Sequence, residues 1–550
     1  MWFRTFLTGI LLTAGAFAQL SSFPKPSYFR ETFGPAPTKV ELRDPVRLKD
    51  FVVDGKLELS LKHFLELAMA NNTDIQLQLI SLEIPKYNIM SVYGLWDPTA
   101  RGSFSTTRQT GLPTSALQAV NAGSETKSLT QPYSLSYSQT LESGTQYAVT
   151  YSGQKTSATN SIANYNPAMT SNLNLSVTQP LIKNRGLYLN KLPLMTAQSN
   201  YKVSEYALRA QLLTLVNTAE TAYWNVVSAR ENLRVQQKNR DTANEYLKYM
   251  QKQLDLGAIS PLDIYNPEQT LAGADLSVSQ AKFALMTAED TLRHQLGVDL
   301  DPEVRKLPIV LTEALDIGPA DSLEVDKEQK VAKALAINPN VLSAVQRLDV
   351  DDLGIQTARN GLLPNLSLNV QYTTSGRGGI YYPSSNTLVG GGGPVEPIPG
   401  GFADAVDQMF GFGYPTYQAG LTLTLPIRSR TASANMAIAV VQKKTDALNL
   451  RNAQQNTRLN VLKAVVALEG AKEQLQLAKV QQDYAQKNLD AENLKYQLGT
   501  DINQNVIFAQ QALAQAELAV VNNQISVRTS LLNLLTQTGE LLDERGIVVK

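Results

Sequence analysis

The sequence predicts a mixed α and β membrane protein built from two copies of one unit, with very long helices alternating with short strands. Three observations carry this expectation: an ungapped internal repeat, helical stretches too long for one compact core to cover, and period-two segments at the same place in both copies.

The repeat comes first. The segment from Leu256-Gly257 to Gly297 aligns without a gap on the segment from Leu498-Gly499 to Gly539. Leu271, Ala274 and Leu292 fall on Leu513, Ala516 and Leu534, and upstream Ala222, Ala229 and Leu233 fall on Ala464, Ala471 and Leu475. A second match lies nearer the start of each copy, where Asn72 falls on Asn338 and Asp97-Pro98 on Leu363-Pro364. Each proline closes a helical stretch and precedes alternating residues, as a change from helix to strand requires. The units therefore span residues 57–298 and 324–540, joined by a linker, 299–323, with an extended segment, 19–56, before them and a tail, 541–550, after them.

The helical stretches follow. No glycine occurs from about Asn190 to Leu254, and Gly470 alone interrupts Arg430 to Leu498. About 65 residues of helix run about 100 Å, so such helices must pack along others as a wall. Gly257 and Gly499 end them, since glycine supplies the left-handed turn at a helix C-terminus. Return helices are expected over 261–296 and 503–538.

The strands alternate at Asn172–Thr178 in the first unit and at Leu366–Val370 and Gly420–Leu425 in the second. Either a soluble core or lipid could meet the apolar face. The first unit offers one more pair, Tyr133–Tyr137 and Tyr147–Tyr151, around the turn Glu142-Ser143-Gly144-Thr145. An added hairpin keeps the up-and-down parity, so it either enlarges a barrel or extends above it. In the second unit, Ser375 to Gly413 is glycine-rich, with Gly390 to Gly393 and an amphipathic patch, Phe402 to Phe410. This loop is expected outside the cell or over a barrel mouth, or else disordered.

Composition removes other classes. The 550 residues hold 49 basic and 49 acidic side chains, without the basic excess of a nucleic-acid binder. Cysteine is absent, which excludes disulfides, thiolate metal sites and a thiol nucleophile. His63 and His294 stand alone in the sequence, and no nucleophile–base pair or phosphate loop is visible, so neither an enzyme nor a bound cofactor is expected. Arg4, the apolar stretch Phe6 to Phe17 and Ala16-Phe17-Ala18 read as a secretory signal over residues 1–18. No later run reaches the roughly 20 apolar residues of a spanning helix, so an exported chain that crosses a membrane does so with strands. An elongated periplasmic coiled coil with no pore is the competing reading. Strand segments at the same point of both units argue against it.

The ordered set is Leu57 to Asn72 with Ala334 to Val341, then Pro98 or Pro364 before a strand. It continues with Gln179-Pro180-Leu181-Ile182 or Leu425-Pro426-Ile427 before a long helix, and with the tips Leu256-Gly257 and Leu498-Gly499. It resembles the TolC family of outer-membrane efflux proteins over nearly the whole mature chain. The resemblance implies a homotrimer in the outer membrane of a Gram-negative bacterium. Each protomer would give four strands to a shared transmembrane barrel standing on a long antiparallel periplasmic helical barrel. It implies a passive conduit for efflux of small molecules or secretion of peptides and proteins. A periplasmic adaptor (membrane fusion protein) and an inner-membrane transporter, of the resistance-nodulation (RND) or ATP-driven (ABC) type, would dock at the far end and supply the energy.

The resemblance also implies a periplasmic gate near the tips. Asp263 and Tyr496 match the family's pattern. Asp501 stands where the family's latch has an arginine, and Asn505 stands where it has an acid. An arginine latch is thus not expected here. The constriction is assigned to Asp263, Tyr496, Asp501 and Asn505, and the adaptor-contacting tips to Leu256, Gly257, Ala258, Leu498, Gly499 and Thr500.

Overall fold

The computed structural model describes residues 52–53, 55–112, 125–159, 164–297, 307–313, 325–383, 396–498, 500 and 502–547. The segment expected as a signal, 1–18, lies outside the described residues, as do Gly390 to Gly393, Gly499, Asp501 and most of the linker. All described elements belong to the compact unit that begins at Phe51.

Two short strands, β1 (Val52–Val53) and β2 (Lys56–Leu59), precede three helices, α1 (Leu61–Asn71), α2 (Thr73–Ser81) and α3 (Glu83–Tyr93). Strands β3 (Thr99–Phe104), β4 (Thr107–Gly111), β5 (Thr126–Thr140), β6 (Gln146–Ala158) and β7 (Tyr165–Pro180) follow. The first unit then runs through α4 (Leu187–Asp255), a 3-10 turn (Pro261–Ile264) and α5 (Tyr265–Gln295). After β8 (Ile309–Leu311), the second unit contains α6 (Lys327–Ile337), α7 (Pro339–Gly361), β9 (Asn365–Tyr381), α8 (Phe402–Phe410) and β10 (Pro415–Thr424). It ends with α9 (Arg430–Gln497), α10 (Asn503–Thr538) and α11 (Leu541–Glu544).

Helices α4 and α9 have 69 and 68 residues, hence about 100 Å each. Each packs against its own return helix, α5 or α10, and nearer the sheet the neighbours run α3, α4, α7, α9. Helix α4 starts before Pro193 and continues through it. The proline sits in the second turn, where the loss of one backbone donor is carried by the long helix behind it.

The two units close in the same way. The Asn72 side chain accepts from the backbone N–H groups of Asp74 and Ile75 and donates to the Gln295 carbonyl at 2.9 Å. Asn338 accepts from the N–H of Asn340 and donates to the Gln537 carbonyl, also at 2.9 Å. Each asparagine thus caps the start of one helix and ties it to the end of the unit's last helix. Strand β2 of the first unit pairs in parallel with β8 of the linker, and within the first unit the Tyr223 hydroxyl donates to the Leu59 carbonyl. Buried Glu220 receives two bonds from Arg545, which fixes the C-terminal segment against α4.

The sheet order is β10-β9-β7-β6-β5-β3, with every pair antiparallel. Strand β4 also pairs with β5, so β3 and β4 form one edge strand interrupted at Ser105-Thr106. Among the described residues, one chain therefore supplies six strand positions, four from the first unit and two from the second. The hairpin β5–β6 is a full member of the sheet between the edge strand and β7. The expectation of four strands left this pair open, because alternation alone does not say whether a hairpin joins a sheet or stands above it.

Helix α8 coincides with the amphipathic patch of the sequence. It lies against β9 and buries Ala405, Val406 and Met409. A Cβ on Gly376 would stand 1.9 Å from the Ala405 carbonyl oxygen, and one on Gly378 would stand 2.0 Å from that of Gly401. Only glycine permits this approach. The Thr374 hydroxyl donates to the Met409 carbonyl at 2.8 Å. The helix is thus held on one face of β9 instead of over the end of the sheet.

Candidate functional site: a two-faced wall and two helical tips

The register of the sheet sorts its side chains into two continuous faces. In the row through the middle of the strands, Leu421 pairs with Leu368, Ala419 with Val370, and Val370 with Val177. Leu175 pairs with Val149, and Val149 with Tyr137. Paired residues share a face, so Leu135, Tyr137, Val149, Leu175, Val177, Val370, Leu421 and Leu423 lie together and all are exposed. The other face carries Ser134, Ser136, Thr150, Ser152, Asn172, Asn174, Ser367, Asn369, Gln371 and Thr422. Its hydroxyls and amides bond across strands, as from Thr178 to Asn369 and from Asn369 to Thr422 at 3.0 Å each. An exposed apolar face opposite a polar one is the alternation of a membrane-spanning sheet. A soluble sheet buries its apolar face.

Among the described residues, the two sides of this wall are unpaired. Strand β10 and strand β3 are exposed throughout. The flanking helices repeat the pattern. Leu77 and Ile80 of α2 and Ile84 and Tyr87 of α3 form an exposed stripe at helical spacing, and Ile438, Val441 and Leu448 form another on α9. The apolar stripes thus stand on the helices that continue the two open strands, α3 into β3 and β10 into α9.

At the other end, the two helical tips share one geometry. The N–H of Ala258 donates to the Gln253 carbonyl at 2.8 Å, and the N–H of Thr500 donates to the Lys495 carbonyl at 3.0 Å. These equivalent bonds end α4 and α9 alike, and at Gly257 the turn is left-handed, with φ of 72°. The tips expose Leu256, Leu262, Leu498 and Ile502. Gly257 has no atom within 4 Å of an added Cβ and faces open space.

The residues assigned to the gate are distributed differently. Asp263 closes a capping box with Ser260, accepting from its N–H at 3.0 Å, and so shapes its own tip. Tyr496 lies edge-on to Tyr249 of α4, with ring centroids 6.2 Å apart. Burial, then the Tyr249 hydroxyl, pushes its phenol up to about 12, so it stays neutral. Burial raises Tyr246 in the same patch. The Asn505 N–H donates to the Ile502 carbonyl at the start of α10. Asp501 is outside the described residues. The structure therefore brings Tyr496 together with Tyr246 and Tyr249, which sequence reasoning did not single out. Their spacing of three residues on one helix was the available signal. Among the described residues, no group of acidic or histidine side chains could hold a metal ion, and no helix is long and apolar enough to cross a membrane.

Comparison with known proteins agrees with this geometry. The model of the family described as outer membrane efflux protein matches residues 146–298 and 331–540. TtgC of Pseudomonas putida, a probable efflux pump outer membrane protein, is 23% identical over 354 residues, 62% of this chain and 64% of that protein. TolC of Escherichia coli is 23% identical over 327 residues, 58% of this chain and 61% of that one. The chain thus spans somewhat under two thirds of the length of these curated relatives. Among solved structures, the Campylobacter jejuni CmeC outer membrane channel superposes with a TM-score of 0.58 at 18% identity, over 92% of this chain and 91% of that one. CusC superposes with a TM-score of 0.60 at 15% identity, over 91% and 95%. These likenesses show the fold. The chain is an outer-membrane protein and belongs to the outer membrane efflux protein family.

Proposed function

We propose that three copies of this chain close into one water-filled duct that carries cargo across the outer membrane. The observation that carries this reading is the two-faced wall with open sides. Its apolar face meets lipid and its polar face lines water. The two open strands seek partners, because an exposed edge leaves a row of backbone donors and acceptors unpaired. Strand β3 leaves the helices and β10 returns to them, so β10 of one copy meets β3 of the next antiparallel. The apolar stripes of α2–α3 and α9 meet along the same seam.

Such a duct catalyses nothing and needs no cofactor. Its cargo is moved by an inner-membrane transporter, of the resistance-nodulation or ATP-driven type, through a periplasmic adaptor that docks on the exposed leucines of the tips. Family membership and the names of the relatives support efflux over secretion of large proteins. The gate reading retains Asp263, Tyr496, Asp501 and Asn505, with the tyrosine patch Tyr246, Tyr249 and Tyr496 as its packed part.

Native mass spectrometry of the detergent-solubilised chain tests the assembly. Three copies are expected, and Ile84→Asp with Leu448→Asp is expected to release monomers. A monomeric parent chain rejects the duct. For the gate, Asp263→Ala and Asp501→Ala are expected to change conductance and its cation dependence in a planar bilayer. Unchanged conductance removes both from the gate.

A further inference from the structure

We infer that the barrel of this chain has eighteen strands, three copies of six, and that the hairpin β5–β6 widens it to match the helical tube beneath. The inference rests on the duct reading above and adds a specific wall to it.

The hairpin bonds to β3 and β4 on one side and to β7 on the other over most of its length. Both faces of the wall run through it without a break: Leu135 and Val149 continue the apolar face, and Ser136 and Thr150 the polar one. A hairpin standing outside the wall would have no reason to keep this alternation in register with its neighbours.

Its turn is seated where the sheet meets the helices. Gly144 packs against the Asn184 carbonyl and the Asn190 side chain, and Glu142 pairs with Lys191 of α4 at 2.7 Å. Four helices reach this level, α3, α4, α7 and α9, each continuous with one strand. Of the six strand positions described, β5 and β6 alone have no helix below them.

The widths agree. Strands about 4.8 Å apart and tilted by about 40° each take about 6 Å of arc. Six take about 38 Å, and four about 25 Å. Four helices with axes 8–10 Å apart take about 32–40 Å. Six strands therefore continue the helical tube at the same girth, where four would narrow it. Barrel diameter rises about linearly with strand number, so the backbone ring is about 36 Å across instead of about 24 Å, the size class of barrels with open aqueous lumens. The polar face is mostly amide and hydroxyl, with positive charge added by Arg101, paired with Ser136, and by Arg377, paired with Thr170.

Labelling of single cysteines tests this directly, because the chain has none of its own. In outer-membrane vesicles, a membrane-impermeant maleimide is expected to label Ser136→Cys and Thr150→Cys several-fold faster than Leu135→Cys and Val149→Cys. Leu421→Cys and Thr422→Cys on β10 serve as the control pair. If the hairpin positions label equally while the control alternates, the hairpin lies outside the wall and the inference falls, with the duct intact. If the control does not alternate either, the duct reading falls with it. Electron cryomicroscopy of the unmodified trimer counts the strands without any substitution: eighteen are expected, and twelve would overturn the inference.

Discussion

The two repeat units share the bonds that close them and turn their long helices, and diverge in their strands. Asn72 and Asn338 make the same cap and the same tie, and Ala258 and Thr500 close the same turn. Yet the first unit gives four strand positions and the second gives two among the described residues. The difference follows from what each part tolerates. A change of length in α4 or α9 would rotate every residue beyond it away from its neighbour, since each helical residue turns about 100°. A pair of strands added to a sheet returns the chain to its starting side with its direction restored. The helical wall is therefore held to one pattern, while the sheet varies in units of a hairpin.

If the helical halves are equivalent, their asparagines should matter equally. Asn72→Ala and Asn338→Ala each remove a cap worth about 1 kcal/mol and leave a part-buried carbonyl without its donor, at about 1–3 kcal/mol. A loss of about 2–4 kcal/mol is expected for each, read from denaturant unfolding. Losses that differ by more than about 1 kcal/mol would break the equivalence.

The sheet should show the opposite, a feature of one unit only. Gly378→Val places a branched side chain where the Gly401 carbonyl stands. It is expected to unseat α8 and cost about 1–3 kcal/mol by overpacking, with new protease cleavage near 396–413 and no change at the helical tips. Unchanged protection of α8 would contradict its seat on β9.

A smaller effect lies within the second unit, between α7 and α9. Burial, and then the neighbouring Asp446 carboxylate, pushes Asp351 up to about 6, while the Gln442 amide holds Asp446 low. With a folded value above the unfolded one of about 4, Asp351 costs nothing below pH 4. Its cost grows from pH 4 to 6 and is complete above 6. Asp351→Asn is therefore expected to raise the unfolding free energy at pH 7.5 by about 1 kcal/mol after allowance for partial exposure, and to leave it unchanged at pH 4. A gain that persists at pH 4 would contradict this sign. The smallest effect is expected from Glu142→Gln, which breaks a half-exposed pair with Lys191 worth at most about 1 kcal/mol.

Much of this was legible in the sequence, and the limits have physical reasons. The long helices, their glycine ends and the Asn72/Asn338 match follow from periodicity and local caps, which act within a few residues. The hairpin strands were legible as strands. Their place in the wall was not, because partner choice is a long-range property. The seat of α8 was half visible: the patch announces a buried side, and the run Thr374, Gly376, Gly378 of small residues on the apolar face of β9 marks where it lands. The contact of Tyr496 with Tyr249 joins residues 247 positions apart, beyond any local signal. The departure at Asp501 is plain in the sequence and lies outside the described residues.

The central claim, a closed duct with one wet face, is tested most directly by single-channel conductance with a thiol reagent on each face. The purified chain should give discrete conductance steps in a planar bilayer. A bulky cationic methanethiosulfonate should reduce them at Thr150→Cys and Thr422→Cys and leave them unchanged at Leu421→Cys. An absence of steps, or equal block from both faces, would contradict it.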